Sequence, residues 1–100
     1  METLGNQEHT IIKGDAIEAL KNVIEDNSVD LIFADPPYNI GKNFSGHIEK
    51  WETDDLYLEW CYEWIQLCIQ KLKPNGSLYV MTSTQFMPYF DIFIQGGGLI

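Results

Sequence analysis

Basic residues are scarce in this chain: 6 Lys and Arg stand against 15 Asp and Glu in 100 residues, a formal net charge of −9. Proteins that grip nucleic-acid backbones draw much of their affinity from neutralised phosphates. A chain this acidic is repelled by such polyanions. Either nucleic acid is the wrong partner, or the basic gripping surface lies in sequence outside these residues. Cysteine is nearly absent too. Cys61 and Cys68 share a helical segment and lie about two turns apart, too far for a disulfide, and read as buried free thiols. With only His9 and His47 beside them, no group has metal-ligand spacing, and no metal is expected. No apolar run reaches the ~18 residues of a membrane span. The opening residues Met1 to Glu8 lack the basic and apolar regions of a signal peptide, so a cytoplasmic location is the default expectation. Gly41 and Gly46 have neither the spacing nor the strand–helix context of a phosphate-cradling loop.

What is present is the composition of one small globular domain, 45% hydrophobic and 13% aromatic. Residues 1–9 read as a loose polar terminus. Thr10 to Lys13 is a short strand ended by Gly14. Asp15 is a good helix N-cap for residues 16–23, with Ile17, Leu20 and Val23 turned inward. Val29 to Ala34 is a near-continuous apolar run, the mark of a strand buried on both faces in a parallel sheet. Residues 39–53 form a long polar connection, read as a flap over a site, with a solvated surface loop as the alternative. Asp54 or Asp55 can cap a helix over 55–72, whose apolar stripe is Tyr57, Cys61, Trp64, Ile65, Cys68 and Leu72. Trp60 and Trp64 read as packing groups. Pro74-Asn75-Gly76 ends that helix, Ser77 to Met81 is a further strand, and a last helix runs from Thr84 to about Phe93. Strand and helix alternate three times, which predicts a parallel sheet with helices on both faces. Ligands in such sheets sit beyond the carboxyl ends of the strands. Asp15, residues 35–38 and residues 82–84 all fall there.

The chemistry concentrates in Asp35-Pro36-Pro37-Tyr38, delivered at the end of the apolar strand. An ionised Asp35 accepts hydrogen bonds from an exocyclic amino group. Two prolines stiffen the backbone and offer no competing N–H, so the Asp35 and Pro36 carbonyls can face the same amine. Tyr38 can stack on a planar base, a contact worth roughly 1–3 kcal/mol. Two acceptors around an aromatic amine favour the pyramidal form that develops as its lone pair attacks an electrophile. A base inside a duplex reaches such a pocket only by flipping out. The bare tetrapeptide is equally a turn with a surface tyrosine, or a proline-rich docking ligand. The apolar strand before it and Asn39-Ile40-Gly41 after it favour the base-gripping reading. Lys42 is the phosphate-contact candidate of the connection that follows.

Gly14-Asp15-Ala16 together with Ser28 to Gly41 resembles the amino-terminal part of the amino-group DNA methyltransferases, from about Ile11 to Tyr89. The resemblance implies a partial Rossmann-like α/β fold, with residues 10–94 as the amino-terminal catalytic half. It implies S-adenosylmethionine as cofactor and double-stranded DNA as partner. The aspartate form of the motif points to adenine N6, with cytosine N4, RNA or another amino group as the alternative. By the same resemblance, Asp35 and the Pro36 carbonyl would hold the amine and Tyr38 would stack on the flipped base; Pro37 belongs to the same catalytic motif, and the residues just after it, Asn39 and Lys42, are read as further substrate contacts. Asp15 and Asp35 would border the cofactor. Only 34 residues precede Asp35, too few for an upstream glycine-rich cofactor loop. The order therefore resembles the permuted group, with that loop expected beyond residue 100. An inactive half-domain is the rival reading for the isolated chain. Residues 95–100, with three consecutive glycines, depart from the family; a truncated reading frame and a true linker both fit. A three-stranded sheet would leave an open edge that invites self-association.

Overall fold

A computed structural model describes residues 1–6, 8–39, 43–44, 47–48 and 51–97. Lys42, Ile40 and most of the expected flap lie outside the described residues, as do residues 98–100. Strands β1 (Glu2–Gly5) and β2 (Thr10–Lys13) form an antiparallel hairpin. Helix α1 (Ala16–Asn22) leads to β3 (Val29–Ala34), and two-residue strands β4 (Asn43–Phe44) and β5 (His47–Ile48) pair antiparallel. The long helix α2 (Asp54–Lys71) runs into β6 (Leu72–Val80), and α3 (Met87–Ile92) continues as a π-helical turn over Phe93–Gly97.

The parallel pair is β3–β6, with Ala34 opposite Val80 and Phe33 opposite Tyr79. The crossover between them carries α2, as parallel pairing requires. Helix α2 forms because its apolar residues recur at helical spacing, and Tyr57, Leu58, Cys61, Trp64, Ile65 and Cys68 are all buried. Phe86 and Phe90 complete that core; Ile32, Ala34, Leu78 and Val80 pack against it from the sheet. Burial pushes the Cys61 thiol up to about 11, against the pull of side-chain hydrogen bonds with Tyr57 and Trp64. Burial alone does the same for Cys68. No described helix is long and apolar enough to cross a membrane, and no metal-holding cluster occurs among the described residues.

Several local expectations are corrected. The amino terminus carries a strand over Glu2–Gly5 where the sequence reads as a loose segment, and Asn6 closes the hairpin, its Oδ1 accepting from Glu8 N at 2.8 Å and His9 N at 2.9 Å. Gly5 sits at φ +127°, a conformation closed to ordinary side chains. Strand β2 pairs with β1 and is not part of the parallel sheet, which holds β3 and β6. Ile17 and Leu20 of α1 are turned partly inward as expected, but just past the helix Val23 is exposed and Ile24 takes the inward place.

The cap of α2 is Thr53, whose Oγ1 accepts from Leu56 N at 3.1 Å; Asp54 and Asp55 instead complement the helix dipole in the first turn. The helix stops at Lys71, and Leu72 already lies in β6. Pro74-Asn75-Gly76 falls inside that strand, where the pairing shifts from Val29–Leu72 to Leu31–Ser77. Gly76 eases the irregularity, since a Cβ there would stand 3.1 Å from both the Val29 and the Lys73 carbonyl oxygens. The last helix begins at Met87, because Phe86 N and Met87 N both turn back to Ser83 O. The glycines of the tail do not break it at once, for the π turn carries through Gly97.

Strand β3 is half-buried rather than buried on both faces. Ile32 and Ala34 lie under α2, whereas Leu31 and Phe33 are 58% and 64% exposed. Lys71 is buried at the end of α2, and its ammonium meets Asp26 Oδ1 at 2.7 Å.

Candidate active site

The site follows from where the β3–β6 ladder ends. Met81 N donates to Ala34 O at 2.9 Å, extending the parallel pair one step beyond its last registered residues. The next residues are Asp35, Pro36 and Pro37, and prolines cannot continue a ladder because they lack the N–H. The chain therefore leaves the sheet as a stiff shelf at its carboxyl edge. Asp35 is exposed; Pro36, Pro37, Tyr38 and Asn39 are half-buried.

Tyr38 folds back on the shelf, its hydroxyl donating to Asp35 Oδ1 at 2.9 Å. This bond takes one lone pair of a carboxylate that has about four acceptor positions. Asn39 adopts the left-handed conformation at φ +60°, which asparagine tolerates better than most residues. Its Oδ1 accepts from Trp51 N at 2.8 Å, and its Nδ2 reaches Asp54 Oδ1 at 3.3 Å. Asn39, expected at the substrate, thus ties the end of the shelf to the start of α2. Behind the shelf, the hydroxyl of fully buried Tyr57 donates to Pro37 O at 2.6 Å.

Asp15 caps α1 as the sequence suggests, with Glu18 N donating to its Oδ2 at 3.0 Å. It is exposed, and its neighbour Gly14 lines the cavity that also touches Asp35. That cavity is an open one of about 500 Å³ lined from α1, β3 and α2, with Gly14, Leu20, Trp60, Trp64, Asp35 and Pro36 in its lining. Its lining is mainly apolar, and Asp35 brings a carboxylate to it. Thr82 and Ser83, past the end of β6, keep buried hydroxyls with no hydrogen-bond partner among the described residues. The structure therefore brings Gly14 and residues 35–37 to one cavity, with Asp15 beside it and Thr82 next to the β6 end.

Sequence reasoning treated Tyr57 as one member of an apolar stripe and overlooked Trp51 and Asp54 as supports. A signal existed for Tyr57: a phenol in a buried stripe needs a hydrogen-bond partner. Nothing local to Trp51 or Asp54 announces contacts with the side-chain amide of Asn39, 12 and 15 positions away.

A parallel strand pair ending in an acidic prolyl shelf, backed by a helix and opening on an apolar cavity, is the architecture of a methyltransferase-type α/β domain. The DNA methylase family profile for amino-group (N6/N4) enzymes matches residues 29–98, and the chain belongs to that family. The chain is 54% identical over 88 residues to the DNA adenine methyltransferase YhdJ of Escherichia coli (strain K12), covering 88% of this chain and 29% of that protein. It is 40% identical over 95 residues to the type II methyltransferase M.HpaI of Haemophilus parainfluenzae, covering 89% and 28%. It is 37% identical over 85 residues to the type II methyltransferase M.BamHI of Bacillus amyloliquefaciens, covering 85% and 20%. The chain thus spans less than a third of the length of these curated relatives.

Proposed function

We propose that this chain is the amino-terminal catalytic part of an S-adenosylmethionine-dependent DNA methyltransferase acting on adenine N6. The observation that carries the reading is the exposed Asp35 carboxylate on a proline-stiffened shelf at the carboxyl end of a parallel strand. Asp35 and the Pro36 carbonyl accept hydrogen bonds from the amino group of a flipped adenine. As the amine becomes pyramidal, both contacts strengthen, so the stabilisation falls on the transition state. Base binding exchanges partners at Asp35: the Tyr38 hydroxyl gives way and its ring turns to stack on the base. Pro37 keeps the segment rigid, Asn39 anchors its end, and Lys42 contacts a DNA phosphate.

The cavity suits the cofactor in size and polarity, since drug-sized ligand pockets span about 300–1,000 Å³ and are mainly apolar with a few placed polar groups. Gly14 and Asp15 would border its nucleoside end, and Asp35 its junction with the target amine. When bound, S-adenosylmethionine supplies the electrophilic methyl group. Double-stranded DNA is the partner; with a net charge of −9, the chain leaves phosphate gripping to basic surface elsewhere in a longer protein. The location follows from that substrate as cytoplasmic.

By themselves, these 100 residues are expected to transfer no methyl group, because they contain no glycine-rich cofactor loop. The reading is therefore tested by grafting. The segment replaces its 54%-identical counterpart in the Escherichia coli adenine methyltransferase, and N6-methyladenine is measured in duplex DNA. The expected result is methylation that disappears with Asp35→Ala. A folded chimera that leaves adenine unmodified, or that methylates cytosine instead, overturns the proposal.

A further inference from the structure

We infer that Tyr57 is a positioning residue, its buried hydroxyl setting the pitch of the Asp35–Pro37 shelf from behind. The inference rests on the base-gripping reading of that shelf and adds a residue that does not touch the base.

The argument starts from what two consecutive prolines remove. Without amide hydrogens, Pro36 and Pro37 cannot donate to anything, so the shelf can be tied to the protein only through its carbonyl oxygens or its flanks. The ladder supplies its last tie before the shelf, Met81 N to Ala34 O. On the far side, Asn39 is held by Trp51 N and reaches Asp54. Between these two ties the Pro37 carbonyl accepts from Tyr57 at 2.6 Å.

The donor is itself immobilised. Tyr57 is 0% exposed, and its ring meets Phe86 at 4.8 Å and Trp51 at 4.9 Å between centroids. Helix α2 therefore transmits its rigid placement to the peptide plane that joins Pro37 to Tyr38. That plane governs where the Tyr38 ring can stack and how the Pro36 carbonyl faces an incoming amine. Small errors in such placement cost large factors in productive binding.

Tyr57→Phe removes the hydroxyl and keeps the ring, so the aromatic packing that folds the chain is retained. Ile65→Val, a buried change on the same helix that does not reach the shelf, serves as the control for general loosening. The measurements on the 100-residue chain are relaxation dispersion at the Tyr38 and Asn39 amides, and titration with adenosine and with purine riboside, which lacks the amino group.

The expected result for Tyr57→Phe is new exchange broadening at both amides and about tenfold weaker adenosine binding. Ile65→Val should leave both unchanged. If the amides respond but neither wild type nor variant distinguishes adenosine from purine riboside, Tyr57 still positions the shelf and the base-gripping reading fails. If the two amides stay unperturbed in Tyr57→Phe, or Ile65→Val perturbs them equally, the assignment of Tyr57 is overturned.

Discussion

The two faces of the β3–β6 pair differ in what covers them. One face carries Ile32, Ala34, Leu78 and Val80 beneath the aromatic core of α2. The other carries Leu31, Phe33, Tyr79 and Met81, all exposed. Both faces are equally apolar in composition, so hydrophobicity alone does not say which one is covered. Coverage follows from connectivity: the crossover from β3 to β6 contains α2, and it can cover only one side. The candidate site draws its rigidity from that covered side, through Tyr57 and the supports at the start of α2.

This contrast can be broken from the covered side with the largest effect. Ile65→Ala, at a fully buried position of α2, should destabilise the chain by about 2–5 kcal/mol in chemical denaturation. Phe33→Ala on the open face should change it by no more than about 0.5 kcal/mol. Comparable losses at the two positions would mean that both faces are covered in solution.

The Lys71–Asp26 pair, buried only at its lysine, sits at the end of the covered side. Asp26→Asn should cost about 1–3 kcal/mol, because a mostly buried ammonium loses its charged partner while the exposed aspartate loses little of its own. Lys71→Met, which removes the buried charge as well, should cost less than Asp26→Asn; the reverse order would count against the pairing.

Alkali should act on the same core. Both thiols are held up at about 11 by burial, against an ordinary value of 9.0. Their contribution is fully present below pH 9 and is lost as pH rises toward 11, because the unfolded thiols ionise first. The expected loss is on the order of 2 kcal/mol per thiol. Cys61→Ala and Cys68→Ala should flatten that decline in a pH series of denaturation curves, and an unchanged slope would contradict it. The smallest effect is expected from Thr53→Ala, about 1 kcal/mol from the lost α2 cap, checked by thermal unfolding.

Much of this architecture is legible in the sequence. The apolar stripe of α2, the α1 cap at Asp15 and the position of the shelf at a strand end all follow from local pattern and turn chemistry. Three things were not legible, each for a non-local reason. The amino-terminal hairpin depends on Asn6 and Gly5 closing a turn within a polar segment that carries no apolar alternation. The end of α2 at Lys71 reflects a strand pairing that claims Leu72 and overrides the breaker at Pro74 to Gly76. The roles of Tyr57, Trp51 and Asp54 at the shelf arise only when α2 folds back across residues far away in sequence. In the site, residue types could be read from Asp35 to Asn39, but not which of them face outward. Asn39 reads as a ligand contact in sequence, yet its amide is held by Trp51 and Asp54.

The central claim is that Asp35 reads an amino group on a base. It is tested most directly by titrating the chain with adenosine and with inosine, which carries an acceptor oxygen where adenosine carries the amine. The account predicts at least about tenfold preference for adenosine, abolished in Asp35→Ala, since a carboxylate facing an acceptor oxygen is left unpaired. Equal binding of the two nucleosides, or a preference that survives Asp35→Ala, would contradict it.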